Sequence, residues 1–143
     1  MATDRTANVV WQGDLMSGSG TIAQVPSGAF GPLDVSWASR AEEPNGKTSP
    51  EELIAASWAS CFAMALSNGL AKAGTPPEKL ETSATVTFQP GEGITRGALT
   101  VRGTVPGLDE DGFRAAAEDA KKNCPVSQAL SGIPDVTLEA SLA

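Results

Sequence analysis

The chain has 143 residues, 41% of them hydrophobic, with 10 Lys+Arg against 17 Asp+Glu for a net charge of −7. This composition excludes a disordered or collagen-like chain, predicts a single domain over residues 1–143, and argues against nucleic acid as a partner because no basic cluster offsets the acidic balance. Histidine and tyrosine are both absent, which removes Ser-His-Asp and Cys-His nucleophile activation and imidazole metal sites, and leaves thiol, carboxylate, Arg, Lys, hydroxyl and backbone chemistry.

The N-terminal MATDRTANVVWQG lacks the cationic start and apolar run of a secretory signal, so a cytoplasmic protein is expected. Ala7, Val9 and Trp11 alternate, and the SGSG of residues 17–20 makes a turn before Thr21–Val25, which reads as a hairpin. A third strand is predicted over Asp34–Arg40, with Val35 and Trp37 on one face and Arg40 on the other. The polar EEPNGKTSP then runs into a helix start: Ser49 as N-cap, Pro50 in the first turn and Glu52 completing a capping box. Along that helix apolar pairs recur every fourth residue (Leu53/Ile54, Ser57/Trp58, Cys61/Phe62, Ala65/Leu66, Gly69/Leu70), with a stop near Gly74. Nothing charged occurs from Leu53 through Ala71, about the length that crosses a bilayer. The segment is rich in Ala and carries Ser57, Ser60, Ser67 and Asn68, so it reads as a helix buried in protein, with no membrane partner.

Two strong strand signals follow, Leu80–Phe88 and Leu99–Val105, joined as a hairpin through Gln89–Thr95. A second helix is predicted after Asp109, with Phe113, Ala116, Ala117, Ala120 and Cys124 on one face. Pro125 breaks it and opens a short further helix through Leu130, before a last strand carrying Val136, Leu138, Ala140 and Leu142. The order β-β-β-α-β-β-α-β gives an α+β fold with antiparallel hairpins.

With two cysteines, no CxxC and no compact carboxylate cluster, no metal site is expected, and a long-range thiol pair of Cys61 and Cys124 is the sharper alternative to two packing residues. Burial disfavours a thiolate, so a nucleophilic Cys61 needs a cation. The dipole of its own helix fades within the first turn. Lys72 lies roughly 16 Å further along at 1.5 Å per residue. Arg40, Arg96 and Arg102 are the candidates. Glu51 is free to orient an arginine because Glu52 holds the capping-box position, but about 15 Å of helix keeps Glu51 from Cys61 within one subunit. Cys124, placed before Pro125, sits where unpaired N–H groups favour a thiolate, which suits a resolving or leaving thiol.

The stretch TSPEELIAASWASCFAMALS (Thr48 to Ser67) together with NCPVSQAL (Asn123 to Leu130) resembles the OsmC/Ohr family of thiol-dependent organic hydroperoxide reductases. The resemblance implies Cys61 as peroxidatic thiol, Cys124 as resolving thiol and a disulfide between them, restored by an external dithiol without cofactor. It implies antiparallel sheets around long central helices in an intertwined homodimer with two sites at the subunit interface. Because the SGSG loop holds no arginine while SWASRAEE offers Arg40, the chain is placed nearer the OsmC branch. Glu51 matches the acidic residue of the family's PEEL-like helix start and would serve the cysteine of the other subunit. Trp58 and Phe62 would favour organic hydroperoxide over hydrogen peroxide. The rival reading is a non-catalytic dimeric module that binds a small hydrophobic ligand, with both cysteines as packing residues.

Overall fold

Alternation punctuated by glycine produces the first strands of the chain, which a computed structural model describes over all of Met1–Ala143. Strands β1 (Val9–Gln12), β2 (Ser19–Ile22) and β3 (Leu33–Val35) form a three-stranded antiparallel sheet. Helices α1 (Trp37–Ala41) and α2 (Pro50–Lys72) follow, then β4 (Lys79–Gln89), β5 (Gly93–Thr104), α3 (Glu110–Asn123), α4 (Pro125–Ala129) and β6 (Asp135–Leu142). Contacts within the chain cluster into two units, Met1–Leu53 and Ile54–Ala143.

In the first unit the predicted third strand ends early. Only Leu33–Val35 is extended; Ser36 then caps α1, its hydroxyl accepting from the Ser39 N–H at 3.1 Å while the Ser36 N–H donates to the Ser39 hydroxyl at 3.0 Å. This reciprocal pair satisfies two backbone donors locally, and it outweighs the alternation of Val35 and Trp37. Arg40 therefore sits on a helix rather than on a strand face. At the start of α2 half of the expected capping box forms. The Glu52 N–H donates to the Ser49 hydroxyl at 3.2 Å, but the Glu52 carboxylate accepts from the Thr48 hydroxyl at 2.7 Å instead of reaching back to the cap.

The second unit is a three-stranded sheet in the order β4-β5-β6 with α2 and α3 packed on one face. In β4 the alternation puts Leu80, Thr82, Ala84, Val86 and Phe88 inward, and in β5 Gly97, Leu99, Val101 and Gly103 are buried. Of the apolar pairs on α2 the second members, Trp58, Phe62, Leu66 and Leu70, form the buried stripe, joined in the core by Phe113, Ala117 and Ala120 of α3. By length and composition α2 is apolar enough to cross a membrane, yet this stripe faces protein. The Trp58 ring lies so close over Gly97 that a Cβ there would meet it at 2.4 Å, and the Thr82 hydroxyl donates to the Ala59 carbonyl at 3.1 Å.

One pairing departs from the antiparallel expectation. β5 runs antiparallel to β4, but β6 runs parallel to β5, from Arg96 opposite Asp135 to Gly103 opposite Leu142. Parallel neighbours need a crossover, and here α3 and α4 carry the chain back past the length of β5 before β6 begins.

Candidate active site

The middle of α2 and the junction between α3 and α4 bring the two cysteines together. Asp109 starts α3 by accepting from the Gly112 N–H at 2.8 Å, and Cys124 ends it, its N–H donating to the Ala120 carbonyl. Pro125 cannot continue α3 and opens α4, so Cys124 is both the last cap of one helix and the N-cap of the next. Its sulfur reaches Cys61 Sγ at 2.9 Å, and both thiols are free. Cys124 is wholly buried, whereas Cys61 is partly exposed. No group of acidic, cysteine or histidine side chains is arranged to hold a metal ion.

Two thiols this close titrate as a pair. Burial pushes the Cys61 thiol above its usual range, the neighbouring Cys124 adds to this, and the Val126 N–H opposes it only in part. For Cys124 burial acts in the same upward sense, but the hydrogen bond with Cys61, the N–H and hydroxyl of Ser127 and the Val126 N–H outweigh it, and the thiol is held low. No cation is among the groups that set either thiol. Two of the three arginine candidates lie on the solvent side of β5: Arg96 pairs with Asp135 at 3.4 Å, and Arg102 is exposed beside Glu81.

The first unit holds the remaining pair of candidates. Arg40, in the last turn of α1, makes a forked contact with Glu51 in the first turn of α2: its Nη2 donates to Oε1 at 2.8 Å and its Nε to both carboxylate oxygens at 3.1 and 3.2 Å. Glu51 is 6% exposed, so this carboxylate is a buried anchor for the guanidinium. The connection between these helices is held in turn by Ser39, whose hydroxyl donates to the Thr48 carbonyl at 3.0 Å.

Trp58 and Phe62 are 1% and 0% exposed and sit in the core beside the thiol pair. Trp58 also borders an open cavity together with Ser127, Leu130 and Ile133, and its indole N–H donates to the Ser127 hydroxyl at 2.7 Å. Ser127 is a polar neighbour of Cys124 that the sequence reading passed over. Its contact with Trp58 leaves no local signal, since the two positions lie 69 residues apart.

The comparisons with known proteins point one way. Residues 43–139 match the family profile described as OsmC-like protein. The chain is 37% identical over 145 aligned positions to the peroxiredoxin OsmC of Escherichia coli (strain K12), covering 99% of each, and 36% identical to the organic hydroperoxide resistance protein OhrA of Bacillus subtilis (strain 168), covering 70% of this chain and 72% of that one. Among solved structures, an OsmC-like protein from Mycoplasma pneumoniae shares the fold with a TM-score of 0.73 at 14% identity, covering 100% of this chain and 99% of that one. The organic hydroperoxide resistance protein OhrB of Bacillus subtilis gives a TM-score of 0.66 at 25% identity, covering 96% and 98%. The likeness to the Escherichia coli protein runs nearly end to end while that to OhrA does not, and on this footing the chain belongs to the OsmC-like family, nearer its OsmC branch.

Proposed function

We propose that the protein is a thiol-dependent hydroperoxide reductase of the cytoplasm in which Cys61 is the nucleophile and Cys124 the resolving thiol. The observation that carries this reading is the 2.9 Å approach of two free thiols, one reachable from solvent and one buried behind it. The relatives named as peroxiredoxin and organic hydroperoxide resistance protein support it. The Cys61 thiolate attacks the outer oxygen of the hydroperoxide, forming an S–O bond as the O–O bond breaks, and the alkoxide takes up a proton and leaves as the alcohol. Cys61 is then a sulfenic acid. The Cys124 thiolate attacks that sulfur, the S–S bond forms, and hydroxide departs to become water. An external dithiol reduces the disulfide by two exchange steps and is itself oxidised.

A nucleophilic Cys61 needs a cation, and the Arg40–Glu51 fork holds one in a fixed orientation on its carboxylate. We place Arg40 at the Cys61 of a second copy of the chain, because Glu51 and Cys61 lie about 15 Å apart on one helix. The guanidinium favours the thiolate and the charge that grows on the peroxide oxygens. A homodimer also gives cover to the apolar side chains the protomer leaves outside, among them Val10 and Met16 of the first unit and Met64 of α2, which are 65%, 70% and 73% exposed. The apolar backing of Trp58 and Phe62 favours organic hydroperoxides over hydrogen peroxide.

The test is consumption of an organic hydroperoxide and of hydrogen peroxide with a dithiol as reductant. Preferential turnover of the organic substrate, with a Cys61–Cys124 disulfide recovered by peptide mapping after one equivalent, is the expected result. Two thiols that alkylate no faster than free cysteine, with no turnover, would favour a ligand-binding module instead.

A further inference from the structure

Ser127 has an arrangement that core packing does not require. An indole nitrogen can only donate, so the 2.7 Å contact between Trp58 Nε1 and Ser127 Oγ fixes the hydroxyl oxygen as the acceptor. The hydroxyl proton is then free to point elsewhere. Ser127 stands three residues after Cys124, in the first turn of α4, where a side chain returns toward the cap residue. Trp58 cannot drift, because its ring is clamped over Gly97 and is 1% exposed. Cys124, at 0% exposure, has no water to solvate its sulfur, so any charge it carries depends on protein donors.

We infer that Ser127 is a positioning residue for the resolving step: Trp58 holds its oxygen so that its hydroxyl proton is aimed at the Cys124 sulfur. The inference rests on the reading of Cys124 as the resolving thiol. Only a thiolate attacks the Cys61 sulfenic sulfur, and the donor keeps that thiolate available inside an apolar core. The Ser127 hydroxyl and N–H are among the groups that hold the Cys124 thiol low. From α2 the titratable group acting on Cys124 is Cys61; the groups from α4 are the uncharged donors of Val126 and Ser127, and no charged side chain contributes. When the disulfide is later reduced, the same donor favours Cys124 as the sulfur that departs as thiolate.

The experiment uses the full-length protein and has a readout that needs no peroxide. In a Cys61→Ser background the ultraviolet absorbance of the Cys124 thiolate is titrated with Ser127 intact, Ser127→Ala, Ser127→Thr and Trp58→Phe. Loss of the hydroxyl moves the titration to higher pH, Trp58→Phe moves it less in the same direction, and Ser127→Thr restores it. In chains with both cysteines, a single turnover followed by sulfenic-acid trapping shows disulfide formation slowed roughly five- to tenfold at neutral pH by Ser127→Ala, with the deficit shrinking as pH rises. An unmoved thiolate titration in Ser127→Ala would overturn the inference, as would a slowed disulfide step that Ser127→Thr fails to rescue. Failure of the wild type to reduce hydroperoxide, with the titration shift intact, would instead count against the peroxidase reading.

Discussion

Cys61 is partly exposed and Cys124 wholly buried, and the roles proposed for them predict different outcomes on substitution. Cys61→Ser is expected to abolish hydroperoxide consumption, whereas Cys124→Ser should still react once and then accumulate a sulfenic acid that a dimedone-type probe captures. The pH dependence of Cys61 follows from its surroundings. Burial raises its pKa, so its alkylation rate in the wild type climbs with pH and is limited by the thiolate fraction below the pKa. Removing a nearby cation raises the pKa further, and Arg40→Ala is expected to displace the whole profile to higher pH and slow alkylation about tenfold near neutrality. Glu51→Ala should displace it less, by releasing the fork while leaving the charge. A profile moved by Arg102→Ala and not by Arg40→Ala would mean that another arginine does this work.

Among the elements, those with a strong period were legible in the sequence and those decided by local hydrogen bonds or by pairing partners were not. The every-fourth-residue pattern of α2 and the alternation of β4 and β5 place their buried faces without ambiguity, because a register error would turn each apolar set to solvent. Residues 36–41 are too few for a period to decide, and the Ser36–Ser39 pair turned a strand signal into a helix. Direction of pairing leaves no local trace at all, so β6 read as a strand but not as a parallel one. The cysteines and the Arg40–Glu51 fork were readable from residue chemistry and motif, while the Trp58–Ser127 contact joins positions 69 residues apart that no local spacing connects. The close approach of α2 to β5 at Gly97 is testable at this scale. Gly97→Ala puts a methyl at 2.4 Å from the Trp58 ring, and the cost of overpacking should be about 1–3 kcal/mol in urea denaturation. Because the displaced ring also carries the Ser127 contact, the variant's disulfide formation should slow in parallel.

On the scale of the whole molecule, one chain carries an oriented guanidinium in its first unit and a thiol pair in its second. We propose that residues 1–143 act as one domain in a homodimer, and complementation provides the check. Arg40→Ala and Cys61→Ser homodimers should each be nearly inactive. Unfolded together and refolded, they form mixed dimers in which one site pairs an intact Cys61 with an intact Arg40 from the other chain, and random pairing restores about a quarter of the sites. No recovery would place both groups of a site on the same chain. Sedimentation at micromolar concentration should show a dimer, and a compact, active monomer would contradict it. The crossover that makes β6 parallel to β5 has a consequence in time as well as in space. Cys124 lies within that connection, between α3 and α4, so we predict that it becomes buried behind Cys61 late, as the long-range closure of the sheet is completed. A thiol-blocking reagent pulsed at intervals into refolding reduced protein should label Cys124 early and spare it late, which makes the loss of labelling a clock for the last step of assembly.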